Sequence, residues 1–95
     1  MDSVEIEKYL KIVGDKTRLH ILKLIYQGEV CGCELIHGLD VSQPTLSHHL
    51  KVLSEAGFIK GIKEKNRVNY TVDIKRVDTL FKALKAFITE DIKTC

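Results

Sequence analysis

The sequence predicts a mainly α-helical fold with a small β-hairpin wing, a winged helix-turn-helix. Three observations lead there. Apolar residues recur at helical spacing in several segments bounded by cap residues or glycines. The segment opening at Ser42 sets short polar side chains opposite a stripe of leucines. Just beyond it, Val68, Tyr70 and Val72 alternate with Asn69 and Thr71, the period of a strand.

Taken in order, Ile6, Tyr9, Leu10 and Val13 fall on one helical face and end at Gly14. Asp15 suits the N-cap of a second helix through Tyr26, with Gly28 as its stop. Leu19, Ile21, Leu22, Leu24, Ile25 and Tyr26 leave that helix little polar surface, so it is expected to be the inner helix of the core. Glu29-Val30-Cys31 reads as extended, Gly32 to Leu39 as a brief helix, and Asp40-Val41 as a turn. Ser42 is expected to cap a helix running to Ala56, with Pro44 in its first turn and Gly57 past its end. Phe58 to Lys65 and Val68 to Val72 read as strands around a turn at Lys65-Asn66-Arg67. From Val77 onward Leu80, Phe81, Leu84, Phe87 and Ile88 form a helical stripe. No repeat, linker or low-complexity segment appears, so residues 1–95 are expected to form one domain.

Composition is globular, with 44% hydrophobic and 29% charged residues and a single proline. At this size the buried fraction is modest, and pairing with a second copy would add stability. Net charge is only +2, but between Ser42 and Val72 five cations (Lys51, Lys60, Lys63, Lys65, Arg67) face two anions (Glu55, Glu64), a local excess of three. The N-terminal residues lack a basic start followed by an apolar run, and no apolar stretch reaches the length of a membrane span. A cytoplasmic protein is expected, and there three closely spaced or terminal cysteines favour metal binding or thiol sensing over a disulfide framework.

On a helix turning ~100° per residue, the Leu46/Leu50/Leu53 stripe fixes what faces outward. His48 lies ~200° from Leu46 and is expected to point outward, with Thr45 and Ser47 flanking that face. His49 lies only ~60° from the stripe and is expected to be partly covered and structural. Ser42, Gln43, Thr45, Ser47 and His48 suit base edges and phosphates, and helix N-termini favour phosphate. A solvated amphipathic helix is the plainer alternative. Lys60, Lys63, Lys65 and Arg67 on the hairpin look like phosphate anchors, although charged hairpins also serve as ordinary edge protection.

Cys31 and Cys33 flank one glycine. Two apart inside a helix they would diverge by ~200° and could not share an ion, whereas in extended chain they share a face. Chelation therefore requires Cys31 to precede the helix, or its first turn to unwind. Two thiolates select soft ions. His37, four residues after Cys33, is a possible third donor, and Cys95 is the remaining sulfur. Cysteines that simply pack in a core are the alternative.

Asp15 to Leu22, Glu29 to Leu35 and Ser42 to Leu53 together resemble the arsenic-type (ArsR/SmtB-type) metalloregulatory winged-helix repressors, and the similarity covers roughly Val4 to Val72. The resemblance implies a homodimer, joined through its first and last helices, that binds operator DNA without its ion and is released when the ion binds. It implies DNA contacts from Gln43, Thr45, Ser47 and His48, and inducer ligation by Cys31 and Cys33. No cofactor is implied for DNA binding itself. The chain departs from the family's variants at three points. Ile36 stands where one subgroup of arsenite sensors has a third cysteine. No cysteine precedes Cys31, where cadmium and lead sensors draw on an N-terminal arm. Asp73 remains from the Asp-x-His of the zinc-type site, but Lys75 replaces the histidine. Against the family's pattern, trivalent arsenic or antimony is the expected inducer. A redox sensor or a metal-blind regulator on the same scaffold is the alternative. Nothing resembles a nucleophile–base set or a phosphate loop, so no enzyme is expected.

Overall fold

The computed structural model describes residues 1–28 and 30–90. Its elements are α1 (Ser3–Val13), α2 (Lys16–Tyr26), α3 (Gly32–Leu35), a 3₁₀ turn (Ile36–Gly38), α4 (Gln43–Glu55), β1 (Ile59–Glu64), β2 (Arg67–Val72) and α5 (Ile74–Ile88).

α1 opens with a reciprocal cap. The Glu5 amide donates to Asp2 at 2.8 Å and the Asp2 amide donates to the Glu5 carboxylate at 3.4 Å, which satisfies two otherwise orphaned donors. Asp15 starts α2 by accepting the Arg18 amide at 2.9 Å. That bond is the main reason the Asp15 carboxyl titrates below its ordinary value of 3.8; partial burial opposes it, and the nearby Arg18 cation adds to it.

α2 is not the all-round apolar core helix that its composition suggests. It buries Ile21 and Ile25, but Leu19 and Tyr26 are 54% and 70% exposed. The helical period explains the split, because Leu19 lies roughly 160° around the axis from Ile21.

Gly28 leaves α2 with φ 114°, a left-handed conformation that favours glycine. The chain then enters extended pairing. The Tyr70 amide donates to the Val30 carbonyl at 2.7 Å, and Cys31 forms an antiparallel bridge to Asn69. α3 is shorter than the expected Gly32–Leu39: after Leu35 the chain tightens into the 3₁₀ turn, and Leu39 is already extended.

α4 lies where the sequence places it, capped by Ser42, with Gly57 beyond its end at φ 83°. The hairpin pairs Ile59 with Val72, Gly61 with Tyr70 and Glu64 with Arg67. Arg67 therefore belongs to β2 and not to the turn, which is only Lys65-Asn66 and closes with Lys65 at φ 55°. Gly61 is required by its cross-strand neighbours: a Cβ there would come within 2.8 Å of Val68 and 2.9 Å of the Tyr70 ring. α5 begins at Ile74, three residues before the expected Val77, because the Asp73 carboxylate accepts the Arg76 amide at 3.1 Å and caps the helix.

One buried cluster joins Ile21 and Ile25 of α2, Leu35 of α3, Leu46, Leu50 and Leu53 of α4, Ile59 of β1 and Leu80 of α5, with Ala56 and Phe58 from the α4–β1 connection. No polar or charged residue is buried among the described residues.

Because folding lowers the Asp15 pKa, the carboxylate's contribution is complete above 3.8 and disappears as pH falls through the lower folded value. Asp15→Ala is expected to cost about 1 kcal/mol at neutral pH. Urea unfolding of both proteins should show that gap narrowing as the solution is acidified through and below that range.

Candidate functional site

The polar half of α4 is held outward by the leucines on its other side. Leu46, Leu50 and Leu53 are all buried, whereas Gln43, Thr45, Ser47 and His48 are exposed. Ser42 and Thr45 are tied to each other: the Ser42 hydroxyl donates to Thr45 Oγ1 at 3.0 Å and accepts the Thr45 amide at 3.4 Å. Ser42 thus acts as a cap, and the groups presented along the helix are Gln43, Ser47 and His48, with Thr45 sharing its hydroxyl.

The adjacent histidines occupy different environments. His48 is exposed, and His49 is half-buried with its Nδ1 accepting from Arg18 Nε at 3.0 Å. The acceptor role requires Nδ1 to be unprotonated, so the neutral ring carries its hydrogen on Nε2. Arg18 Nη1 also donates to the Ile12 carbonyl at 3.3 Å, so one guanidinium joins the end of α1, the start of α2 and the middle of α4. Arg18 was not singled out by sequence reasoning, since its partner lies 31 residues away and no local pattern marks the pair.

On the wing, Lys63, Lys65 and Arg67 are exposed. Arg67 Nε donates to the Asn69 side chain at 3.1 Å. Alternation along β1 puts Lys60 and Lys63 on opposite faces of the hairpin, so the four wing cations do not form one patch.

The thiol pair sits at a junction. Cys31 is 1% exposed, has extended torsions (φ −107°, ψ 156°) and stands as the N-cap of α3. Cys33 lies in the first turn and is exposed. Their Cα atoms are 5.2 Å apart and the two sulfurs are joined as a disulfide. The extended residue before the helix start is the arrangement in which two such side chains converge. Asn69, which sequence reasoning passed over, is the residue that pairs with Cys31 from the wing.

Other candidate ligands are not gathered around this pair. α-Helical geometry ends at Leu35, so the Cys33–His37 spacing does not span regular helix and His37 falls in the 3₁₀ turn. Among the described residues no group of three His, Cys, Asp or Glu side chains is placed to hold a metal ion. Cys95 lies outside the described residues. Asp73 is already engaged as the α5 cap.

Comparison with known proteins gives a consistent result. Residues 15–60 match the family model described as bacterial regulatory protein, arsR family. The arsenical resistance operon repressor of Staphylococcus aureus is 35% identical over 91 residues, covering 96% of this chain and 88% of that protein. A cadmium resistance transcriptional regulatory protein homologue of Staphylococcus aureus is 34% identical over 86 residues, covering 90% and 69%. Among solved structures, an ArsR-like transcriptional regulator from Rhodococcus sp. RHA1 superposes with a TM-score of 0.80 at 21% identity, covering 92% of this chain and 82% of that one.

The two histidines should separate under mutation. His49→Ala strips the acceptor from a partly buried Arg18 and is expected to cost about 1–3 kcal/mol. His48→Ala should leave stability within about 0.5 kcal/mol, as for a solvated surface residue. Equilibrium unfolding of both variants checks the difference.

Proposed function

The chain belongs to the arsR family of bacterial regulatory proteins, and on that premise we propose that it is a homodimeric transcriptional repressor released from operator DNA when a soft ion, As(III) or Sb(III), binds Cys31 and Cys33. A winged-helix regulator of this kind is a binding protein and not an enzyme, and it works in the cytoplasm. Among the described residues no helix is long and apolar enough to cross a membrane.

The observation that carries the reading is the seat of the thiol pair. Cys31 is both the N-cap of α3 and the partner of Asn69 in the wing, and Cys33 follows within one helical turn. Ligation needs the reduced pair, because the thiolate is the donor. Drawing both sulfurs onto one ion changes the backbone at Cys31, which is anchored at the sheet edge and at the helix start. α3 feeds Leu35 into the same core as the α4 leucines, so the change reaches the reading head through the core and through the wing.

DNA recognition is assigned to α4 and the hairpin. Gln43, Thr45, Ser47 and His48 face the bases and backbone, Ser42 sets the helix start, and Lys63, Lys65 and Arg67 anchor phosphates. The second copy covers α1 and α5. These two helices pack together and leave Val4 76%, Phe81 51%, Phe87 50% and Ile88 70% exposed. Between them lies a groove of about 550 Å³ lined by Ile6, Leu10, Leu84 and Phe87 among others.

The bonded sulfurs favour one second reading, a thiol redox sensor. There peroxide would take two electrons and two protons from the dithiol, giving the disulfide and water.

The reduced protein should bind its operator in a salt-sensitive complex with half-sites about 34–36 Å apart. Gel shifts that show no preference over random duplex would remove the repressor reading. Cys31→Ser combined with Cys33→Ser should keep that affinity and lose release by arsenite; a double variant that still dissociates places the inducer site elsewhere. Release of the parent by peroxide without metal, with loss of two hydrogens in its mass, selects the redox reading. Phe81→Glu with Phe87→Glu should turn the dimer into a folded monomer in sedimentation velocity.

A further inference from the structure

Arg76, in the first turn of α5, reaches three other parts of the molecule. Its Nε donates to the Ala56 carbonyl at 3.1 Å. Its guanidinium carbon lies 4.4 Å from the centre of the Tyr9 ring on α1 and 6.0 Å from that of Phe58. Tyr9 and Phe58 themselves meet edge to face at 6.0 Å. Gly57 borders the same site: a Cβ there would stand 3.4 Å from Arg76 Nε, so the glycine leaves the guanidinium its room as well as turning the chain.

Ala56 ends α4. The last carbonyls of a helix have no partner within it, and the negative end of the helix dipole lies there. A planar cation that donates to one of those carbonyls while stacked on an aromatic face matches both needs. Lysine would supply charge without the fork or the plane. The contact closes on the end of α4 opposite the polar residues.

Distance turns this anchor into a control on alignment. α4 has 13 residues, so it is about 20 Å long, and a tilt of about 3° about its C-terminal end moves its N-terminal side chains by ~1 Å. Hydrogen bonds to base edges tolerate less than that, since donor–acceptor distances fall within roughly 2.7–3.2 Å.

We propose that Arg76 is a positioning residue for DNA recognition, clamping the C-terminal end of α4 to α1 and α5 and so setting the angle at which each recognition helix of the dimer meets its half-site. The proposal rests on the reading of α4 as the recognition helix and of α1 and α5 as the dimer helices. Arg18 holds the middle of α4 through His49, and Arg76 holds its end; between them the helix has fixed points at two places along its length.

The test uses the full-length protein, reduced and ion-free, on duplexes carrying both half-sites with the native spacer and with spacers changed by about one base pair either way. Binding to random duplex and the dimerisation constant are measured alongside. The parent should prefer the native spacer. Arg76→Met should bind the native site about tenfold more weakly, the scale of one lost base contact, with a flattened spacer dependence and with dimerisation and random-duplex binding unchanged. Tyr9→Leu, which removes the stacking face, should flatten it too, and the double variant should be no worse than Arg76→Met alone. Arg76→Lys carries the same test if Arg76→Met fails to fold, with a smaller shift in the same direction. A folded dimeric variant with the parent's spacer profile would overturn the proposal, as would an equal loss on every duplex, random DNA included. A parent that discriminates operator from random DNA but shows no spacer preference would overturn it while leaving the repressor reading intact. A parent with no preference for operator removes both.

Discussion

Three leucines decide which face α4 turns outward. Leu46, Leu50 and Leu53 occupy one face of α4, and all three are buried in the common core. Each is worth about 1.5–3 kcal/mol in side-chain burial, so rotating α4 by one residue about its axis would forfeit several kcal/mol before any polar contact was counted. The outward face follows without further instruction. Gln43, Ser47 and His48 are exposed because the leucines are not, and His49 is half-covered because it sits on the flank of the stripe. The Arg18–His49 and Arg76–Ala56 hydrogen bonds add direction to a placement that packing has already chosen. Packing sets the rotation of the helix, and the two guanidinium contacts limit its tilt.

The same core leaves another part of the molecule short. Ile6 is the only residue of α1, and Leu80 the only residue of α5, that is fully buried, although both helices carry longer apolar faces. Phe81, Phe87 and Ile88 of α5 stand half or more exposed, and Phe87 lines the groove between the two helices. A chain of this size removes only a modest share of its surface from water, and an apolar face left open on that scale is better accounted for by a second copy than by solvent. For a dimer joined through this face, stability would depend on protomer concentration. The helices that would join two copies are also those on which Arg76 anchors α4, so assembly and presentation of the reading helix rest on the same elements.

Much of this was legible in the chain because it is local. Asp15, Ser42 and Gly57 mark helix ends by chemistry that acts over a few residues, and the Leu46/Leu50/Leu53 period fixes a face by geometry alone. The exposure of His48 and the cover over His49 follow from the same period. The errors were of two kinds. Some are boundaries set by a nearby partner: the Asp73 cap starts α5 at Ile74, and Arg67 is drawn into β2 by pairing with Glu64. Others needed three dimensions. Leu19 is as apolar as Ile21 and Ile25, and only the placement of α2 against its neighbours says which face of the helix is buried. Arg18 reaches His49 across 31 residues and Arg76 reaches Ala56 across 20. Neither span leaves a periodic trace.

The thiol pair shows why such unseen contacts matter for the proposed switch. In sequence, Cys31 and Cys33 belong to the approach to α3, and their influence on α4 would have to pass through that short helix alone. In the fold Cys31 has a second attachment, because Val30 and Cys31 lie along β2 as an additional edge, with the Tyr70 amide bonded to Val30 at 2.7 Å. Asn69, opposite Cys31, accepts from Arg67 through its side chain. One short path therefore leads from the sulfur-bearing backbone to a cation assigned to DNA phosphate, and another leads through Leu35 to the leucines beneath the reading helix. A four-residue helix with no side-chain cap at Cys31 has little stability of its own, so its geometry is set by these attachments. Ion binding at such a seam needs to move only a few residues to be felt on both DNA-facing parts, which is the mechanical reason to place an inducer site there.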